Sequence, residues 1–443
     1  MQAIASRFIV RLREAAGRMR AVASRDACKP RTQAAHPGRR DPFQRARPAR
    51  RHAGLPPAAR PVTVTPSRPT RGAPGRHAGP HDTRRPCPML SYDVIEHGKP
   101  LQVRMRETPV PQGSEVRVRI VRSGVCHSDL HIWEGYFDLG GGKRFNVKDR
   151  GCVPPFTTGH EPFGVVDAMG PDATGVKVGD RRIVYPWIGC GQCAVCADGD
   201  DHLCLAARFV GIVRPGAYAT HLLVPDAKYL VEADGVDEAW AATLACSGLT
   251  VHSAIAKLPA LKPRHWVAVL GCGGLGMSAI AMLRARGIEN VVACDVDAAK
   301  LERAREQGAA RVLDTRAPDA LAQLKALAGD QVAGVLDFVG MPATTMLGTG
   351  ALCKGGHYVL CGLFGGEVTL SLPPIAQRGI SIRGSYVGSL RELHEVVALA
   401  KTGRLAPPPI EVRPASEASR SMEELRDGRV SGRVVLDFGS VDA

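Results

Sequence analysis

The chain has 443 residues, with 58 Lys and Arg against 43 Asp and Glu, for a formal net charge of +15. Residues 1–90 hold 20 of those bases and only four acids, Glu14, Asp26, Asp41 and Asp82, so the rest of the chain is nearly neutral, at −1. That distribution excludes a basic nucleic-acid groove spread over the folded body, and no apolar run approaches the ~20 residues of a membrane span.

Residues 1–88 contain 13 of the 33 prolines and few large apolar side chains. Such a segment cannot bury enough surface to offset its ordering entropy, which predicts a disordered extension. It reads as an organelle-targeting leader, as a tail for nucleic acid or an anionic surface, or as translated upstream sequence with the true start at Met89. The last fits best, because ordered patterning begins there. Ser91–Glu96 and Leu101–Arg104 alternate around the turn signal His97-Gly98-Lys99-Pro100, as a hairpin does.

Short strands punctuated by Gly and Pro follow, among them Glu115–Val121, Gly164–Met169 and Arg182–Tyr185, and predict a β-barrel-like domain. After Pro263 the pattern becomes apolar strands alternating with helices. His265–Leu270 leads to a helix through Arg286, and Asn290–Cys294 to a helix over Ala298–Gln307. Further strands are expected at Gly334–Val339, His357–Leu363 and Ile380–Tyr386. This is the pattern of an α/β doubly wound parallel sheet. Gly432–Phe438 alternates again and is expected to return to the first domain. The expected organisation is a β-rich zinc domain over 89–244, a nucleotide-binding domain over 245–403, and a return segment over 404–443.

Gly271-Cys272-Gly273-Gly274-Leu275-Gly276 matches GxGxxG between a strand and a helix, where Gly271, Gly273, Gly274 and Gly276 let the backbone approach a pyrophosphate. Asp295, closing the second strand, would accept from ribose hydroxyls and repel a 2′-phosphate, which selects NAD over NADP. Lys300 is a second ribose contact or a solvated helix lysine. Cys190, Cys193, Cys196 and Cys204 place four thiols in one glycine-broken loop. That spacing suits a closed structural zinc shell, and disulfides are disfavoured without a secretory signal. Cys126, His160 and Cys246 make a Cys₂His set that would leave zinc an open position, although spacing alone cannot join three such distant residues.

From about Met89 onward the chain resembles the zinc-dependent medium-chain dehydrogenase/reductase family, the alcohol dehydrogenases in particular. The resemblance rests on Gly124–His131, Gly159-His160-Glu161, the four-cysteine loop, the Cys246 segment and the glycine–aspartate pair. It is nearest to the tetrameric branch of bacteria, archaea and yeast, whose usual start coincides with Met89. It implies a GroES-like catalytic domain and a Rossmann domain, with two zinc ions and NAD per subunit. It further implies a small-molecule alcohol or aldehyde substrate, a cytoplasmic homo-oligomer, and neither nucleic-acid nor membrane partners.

On that resemblance Cys126, His160 and Cys246 ligate the catalytic zinc, Glu161 is an occasional ligand, and the four loop cysteines hold the structural zinc. Ser128, two residues past a ligand, can take a proton from an alcohol; the family sends it through the cofactor ribose to His131, which is otherwise a partly exposed loop histidine. Asp129 orients His160, and His127 pairs with the pyrophosphate. Trp133, Trp187, Phe209 and Ile212 are candidates for an apolar substrate pocket, although core packing explains each equally well. Cys152, Cys272, Cys294, Cys353 and Cys361 match no ligand pattern and read as buried small side chains.

Overall fold

The computed structural model describes residues 88–441. The extension expected over residues 1–88, and the choice among its readings, therefore lie outside the described residues, Pro88 excepted.

The first layer is built around one long strand, Val116–Val125. Its Val116, Val118 and Ile120 are fully buried while Arg119 between them faces water, the period-two pattern of a strand with one face on a core. It pairs antiparallel with Pro162–Met169, His221–Val224 and Arg433–Asp437, the last in the register Val434↔Val125. Arg433–Asp437 also pairs, in parallel, with Ile410–Pro414, so the end of the chain comes back to the sheet that the beginning built. The expected hairpin forms beside it: Met89–Val94 and Gln102–Arg106 pair antiparallel with Ser91 opposite Arg104.

The second layer is a six-stranded parallel sheet. Its order is Arg311–Asp314, Val291–Asp295, Trp266–Leu270, Val332–Asp337, Leu352–Leu360, Ser381–Gly384, so the third strand in space is the first in sequence. Strands buried on both faces read as continuous apolar runs, and here alternate residues enter different cores. Val267 and Val269 pack with Val291 and Ala293 on one face, while Ala268 and Leu270 pack with Val292 and Cys294 on the other. Helices Gly274–Ala285 and Ala298–Gln307 follow the first two strands. The short strand Arg311–Asp314, with little apolar content, was not foreseen. Leu352–Leu360 begins five residues earlier than expected because its register jumps from Val332↔Leu352 to Gly334↔His357, looping Cys353–Gly356 out of the ladder.

Helix Glu238–Thr243, a π-helical turn Leu244–Gly248 and helix Leu249–Ala256 run end to end between the two layers. The stretch 238–256 is the one helical run among the described residues long and apolar enough to cross a membrane. It is 94% buried within the fold, the setting of a core helix.

Candidate active site

The strand Val116–Val125 delivers Cys126 to the N-terminus of helix His127–Glu134, and the same short helix carries Asp129. Asp129 is fully buried, and a buried carboxylate must be satisfied by hydrogen bonds. Its Oδ1 accepts from Thr158 Oγ1 at 2.8 Å, Gly159 N at 3.1 Å and His160 Nδ1 at 2.9 Å, and its Oδ2 from Cys126 N at 3.1 Å. One side chain thus ties together the two loops that carry Cys126 and His160. With Nδ1 committed, His160 can offer only Nε2, which is buried and has no hydrogen-bond partner.

Cys246 arrives from the π-helical turn, whose wider winding marks many functional positions. A ligand atom from each of Cys126, His160, Glu161 and Cys246 lies within 4.8 Å of every other, and all four residues are buried. Such a donor set, with an orphaned imidazole nitrogen and an orphaned Glu161 Oε1, fits a divalent cation of the zinc type. The electrostatics divide the four donors. A hydrogen bond from Cys246, then the neighbouring charges of His160 and Arg433, hold the Cys126 thiol well below its ordinary value against the cost of burial. The same hydrogen bond, seen from Cys246, pushes that thiol up. Burial raises Glu161 to about 7, while Arg433 opposes the rise.

Arg433 was not anticipated as a site residue. It is buried, donates to Glu161 Oε2, and lies where a Cβ on Gly274 would sit, so it links the quartet to the glycine-rich turn. The sequence offered only an arginine inside a strand pattern. Gly124 has a related role: a Cβ there would overlap the Glu161 carboxylate.

The glycine-rich turn stands as expected. Gly271 has φ of +90°, and a Cβ on Gly276 would strike the Gly271 carbonyl, so the turn and the helix start behind it require glycine at both. Helix Gly274–Ala285 starts from Gly273, presenting its free N–H groups to the crevice. Asp295 ends its strand. It accepts from Cys272 N at 2.6 Å, Val296 N at 2.8 Å and Asp297 N at 3.0 Å, which fixes the carboxylate at the crevice edge. Burial, offset by Cys126 and reinforced by Arg433 and Lys300, lowers the His127 imidazole, so His127, Lys300 and Arg433 share one electropositive neighbourhood. Ser128 and His131 are three residues apart on helix His127–Glu134, hence on one face. The His131 ring packs 4.4 Å from that of Phe137, and burial lowers its pKa.

The second cluster is equally definite. The sulfurs of Cys193 and Cys196, Cys193 and Cys204, and Cys190 and Cys196 are 3.5, 3.8 and 4.0 Å apart, and all four thiols lie within 4.8 Å of one another. Four thiolates around a tetrahedral ion, each at about 2.3 Å, would lie about 3.8 Å apart, whereas a disulfide needs about 2 Å. Backbone hydrogen bonds from Gln192 and Cys193 lower the Cys190 thiol to about 6, whereas burial pushes the Cys196 thiol up to about 12.

Of the pocket candidates, Trp187 and Phe209 are brought to the quartet. The Trp187 ring is 5.3 Å from that of His160 and 5.4 Å from that of Phe209. Tyr386, missed in the sequence, completes the aromatic wall 6.0 Å from Trp187. Trp133 is instead a core residue, because its indole N–H donates to the Lys99 carbonyl and its ring faces Arg426. Ile212 packs against the Ile132, Val147, Cys152 and Phe156 cluster. Cys152, Cys272 and Cys294 are buried as expected, but Cys353 and Cys361 are only half-buried.

Comparison with known proteins agrees with this geometry. The family described as "Zinc-binding dehydrogenase" matches residues 274–402, and "Alcohol dehydrogenase GroES-like domain" matches residues 112–234. An NAD-dependent alcohol dehydrogenase of Sulfurisphaera tokodaii is 34% identical over 350 residues, covering 79% of this chain and 99% of its own. An alcohol dehydrogenase of Geobacillus stearothermophilus is 35% identical over 351 residues with the same coverage. The solved alcohol dehydrogenase of Aeropyrum pernix superposes with a TM-score of 0.71 at 30% identity, over 79% of this chain and 99% of that one.

Proposed function

The chain belongs to the zinc-binding, GroES-like alcohol dehydrogenase family, and from that premise we propose that it interconverts a small alcohol and its aldehyde or ketone with NAD at the Cys126–His160–Glu161–Cys246 centre. The observation that carries this reading is the convergence of four buried donor atoms, from loops far apart in sequence, beside a glycine-rich turn that ends a parallel strand. Zinc when bound supplies Lewis acidity that makes a hydroxyl acidic, and NAD supplies the hydride acceptor.

The residues divide the remaining work. Cys126, His160 and Cys246 hold the metal, and Glu161, tethered by Arg433, stands ready as a fourth ligand. Asp129 keeps the His160 ring oriented and its Nδ1 protonated, so that Nε2 faces the metal. Ser128 Oγ accepts the alcohol proton as it releases its own hydroxyl proton toward His131, on the same helix face, which passes a proton to solvent. Trp187, Phe209 and Tyr386 exclude water and give the substrate an apolar wall. Gly271, Gly273, Gly274 and Gly276, with His127, receive the pyrophosphate, and Asp295 and Lys300 receive the ribose. Cys190, Cys193, Cys196 and Cys204 hold a second, structural zinc with no position left for substrate.

A homo-oligomer belongs to the same proposal. Strand Ser381–Gly384 ends the six-stranded sheet with an open edge on which Ile382 is exposed, an edge suited to pairing with a second copy. So does a cytoplasmic setting, which eleven free thiols among the described residues favour. Steady-state rates with NAD and NADP over primary, secondary, benzylic and polyhydric alcohols test the function. Turnover confined to polyols, or equal use of NADP, would overturn the simple-alcohol and NAD assignments respectively.

A further inference from the structure

At the opposite end of the parallel sheet from the glycine-rich turn lies a second cavity, of about 540 Å³. It opens where strands Trp266–Leu270, Val332–Asp337 and Leu352–Leu360 begin, whereas the cofactor crevice lies where such strands end. A five-residue strand, about 16 Å, separates the two. The looped-out segment Cys353–Gly356, created by the register jump in the ladder, forms part of its wall.

The lining is strongly one-signed. Arg264, Lys325, Lys354 and Arg378 face it with Asp330 as the single acid, and His265 adds an imidazole. Two of these cations are positioned in advance. Arg264 Nε donates to Gln331 Oε1 at 3.1 Å, and Arg378 donates to the carbonyls of Thr349, Gly350 and Leu352 around the end of helix Pro342–Ala351. Lys325 and Lys354 add two ammonium groups to the lining. Burial, and then the charges of Arg264 and Lys262, lowers the His265 imidazole. Nothing in the dehydrogenase reaction uses this surface. Four like charges held around one concavity are mutually repulsive unless an anion offsets them. The volume is that of a small-molecule site, and guanidinium with ammonium is the donor set that recognises phosphate oxygens.

We propose that this cavity binds a small molecule bearing phosphate groups, separately from the cofactor crevice. The test uses the full-length enzyme saturated with zinc and NAD, so that the crevice is filled, and pyrophosphate as the probe in isothermal titration against sodium chloride of equal ionic strength. Saturable binding is expected, with affinity falling at least about tenfold in the double variant Arg264→Gln/Lys354→Gln. Alcohol turnover in that variant should be unchanged, since neither residue touches the reaction. A single variant, Lys325→Gln, should weaken binding less but measurably. Binding no stronger than the chloride control, or equal in the double variant, would overturn the site. Citrate binding as tightly as pyrophosphate would overturn the phosphate class.

Discussion

Cys190, Cys193, Cys196 and Cys204 come from one loop and are mostly half-exposed, whereas Cys126, His160, Glu161 and Cys246 come from three separate segments and are all buried. The loop cluster is assembled by local turns and needs little from the rest of the fold. The buried quartet exists only when the strand Val116–Val125, the loop at Gly159 and the π-helical turn have all packed, with Asp129 fastening two of them. A site whose metal serves stability can be built locally. One whose metal must face both substrate and cofactor has to be placed where two layers meet.

The sharpest way to break this contrast is Cys246→Ala. Turnover should fall at least about a thousandfold, because the metal loses a ligand from the reacting centre, while the loop cluster keeps its zinc. Asp129→Asn should be milder. It preserves shape but removes the charge that holds His160, costing about 10–100-fold in metal affinity or turnover, with the NAD dissociation constant unchanged. Cys193→Ser addresses the other side. It should empty the loop site and lower the thermal midpoint by on the order of 10 °C, with turnover of the folded fraction within about twofold. A loss of turnover without a loss of stability there would exchange the two roles.

How much of this was legible in the sequence follows from the same contrast. The loop cluster and the Gly271–Asp295 fingerprint are written in short spacing, and both stand where they were read. The central strands of the parallel sheet, Trp266–Leu270, Val291–Asp295 and Val332–Asp337, were legible because they are buried and their apolar runs are continuous, whereas the short, half-exposed edge strand Arg311–Asp314 was not. The quartet was not legible from spacing, since nothing local joins Cys126 to Cys246; family resemblance suggested it. Arg433 and Tyr386 left no local signal, because a buried arginine and a pocket tyrosine look like any strand or loop residue until the chain has folded. Trp133 was open between pocket and core for the converse reason: its neighbours along the chain are site residues, yet its indole N–H donates to the Lys99 carbonyl.

Two smaller effects sharpen the picture beyond the metals. Asp295→Ala should raise the NADP-to-NAD preference by about tenfold, read as a ratio of kcat/KM values, by removing a carboxylate that would repel a 2′-phosphate. Asp167 is a pH probe within the first layer. Burial alone would raise its carboxyl, but hydrogen bonds from His221 and Arg117 outweigh that and hold it below its ordinary value. The stabilisation is therefore present above the unfolded carboxylate range near pH 4 and lost as pH falls through the depressed value. With Asp167 partly exposed it should amount to about 1 kcal/mol or less. Arg117→Gln should flatten the acid limb of the thermal-midpoint profile, and an unaltered limb would remove Arg117 from that balance.

The measurement that bears most directly on the division between the two clusters is zinc content alongside alcohol oxidation in the native protein and in Cys126→Ser. Two zinc ions per chain are expected in the native protein. The variant should retain one, remain folded with NAD bound, and show no turnover. A variant that keeps both ions and full activity would contradict the placement of the catalytic metal at the buried quartet.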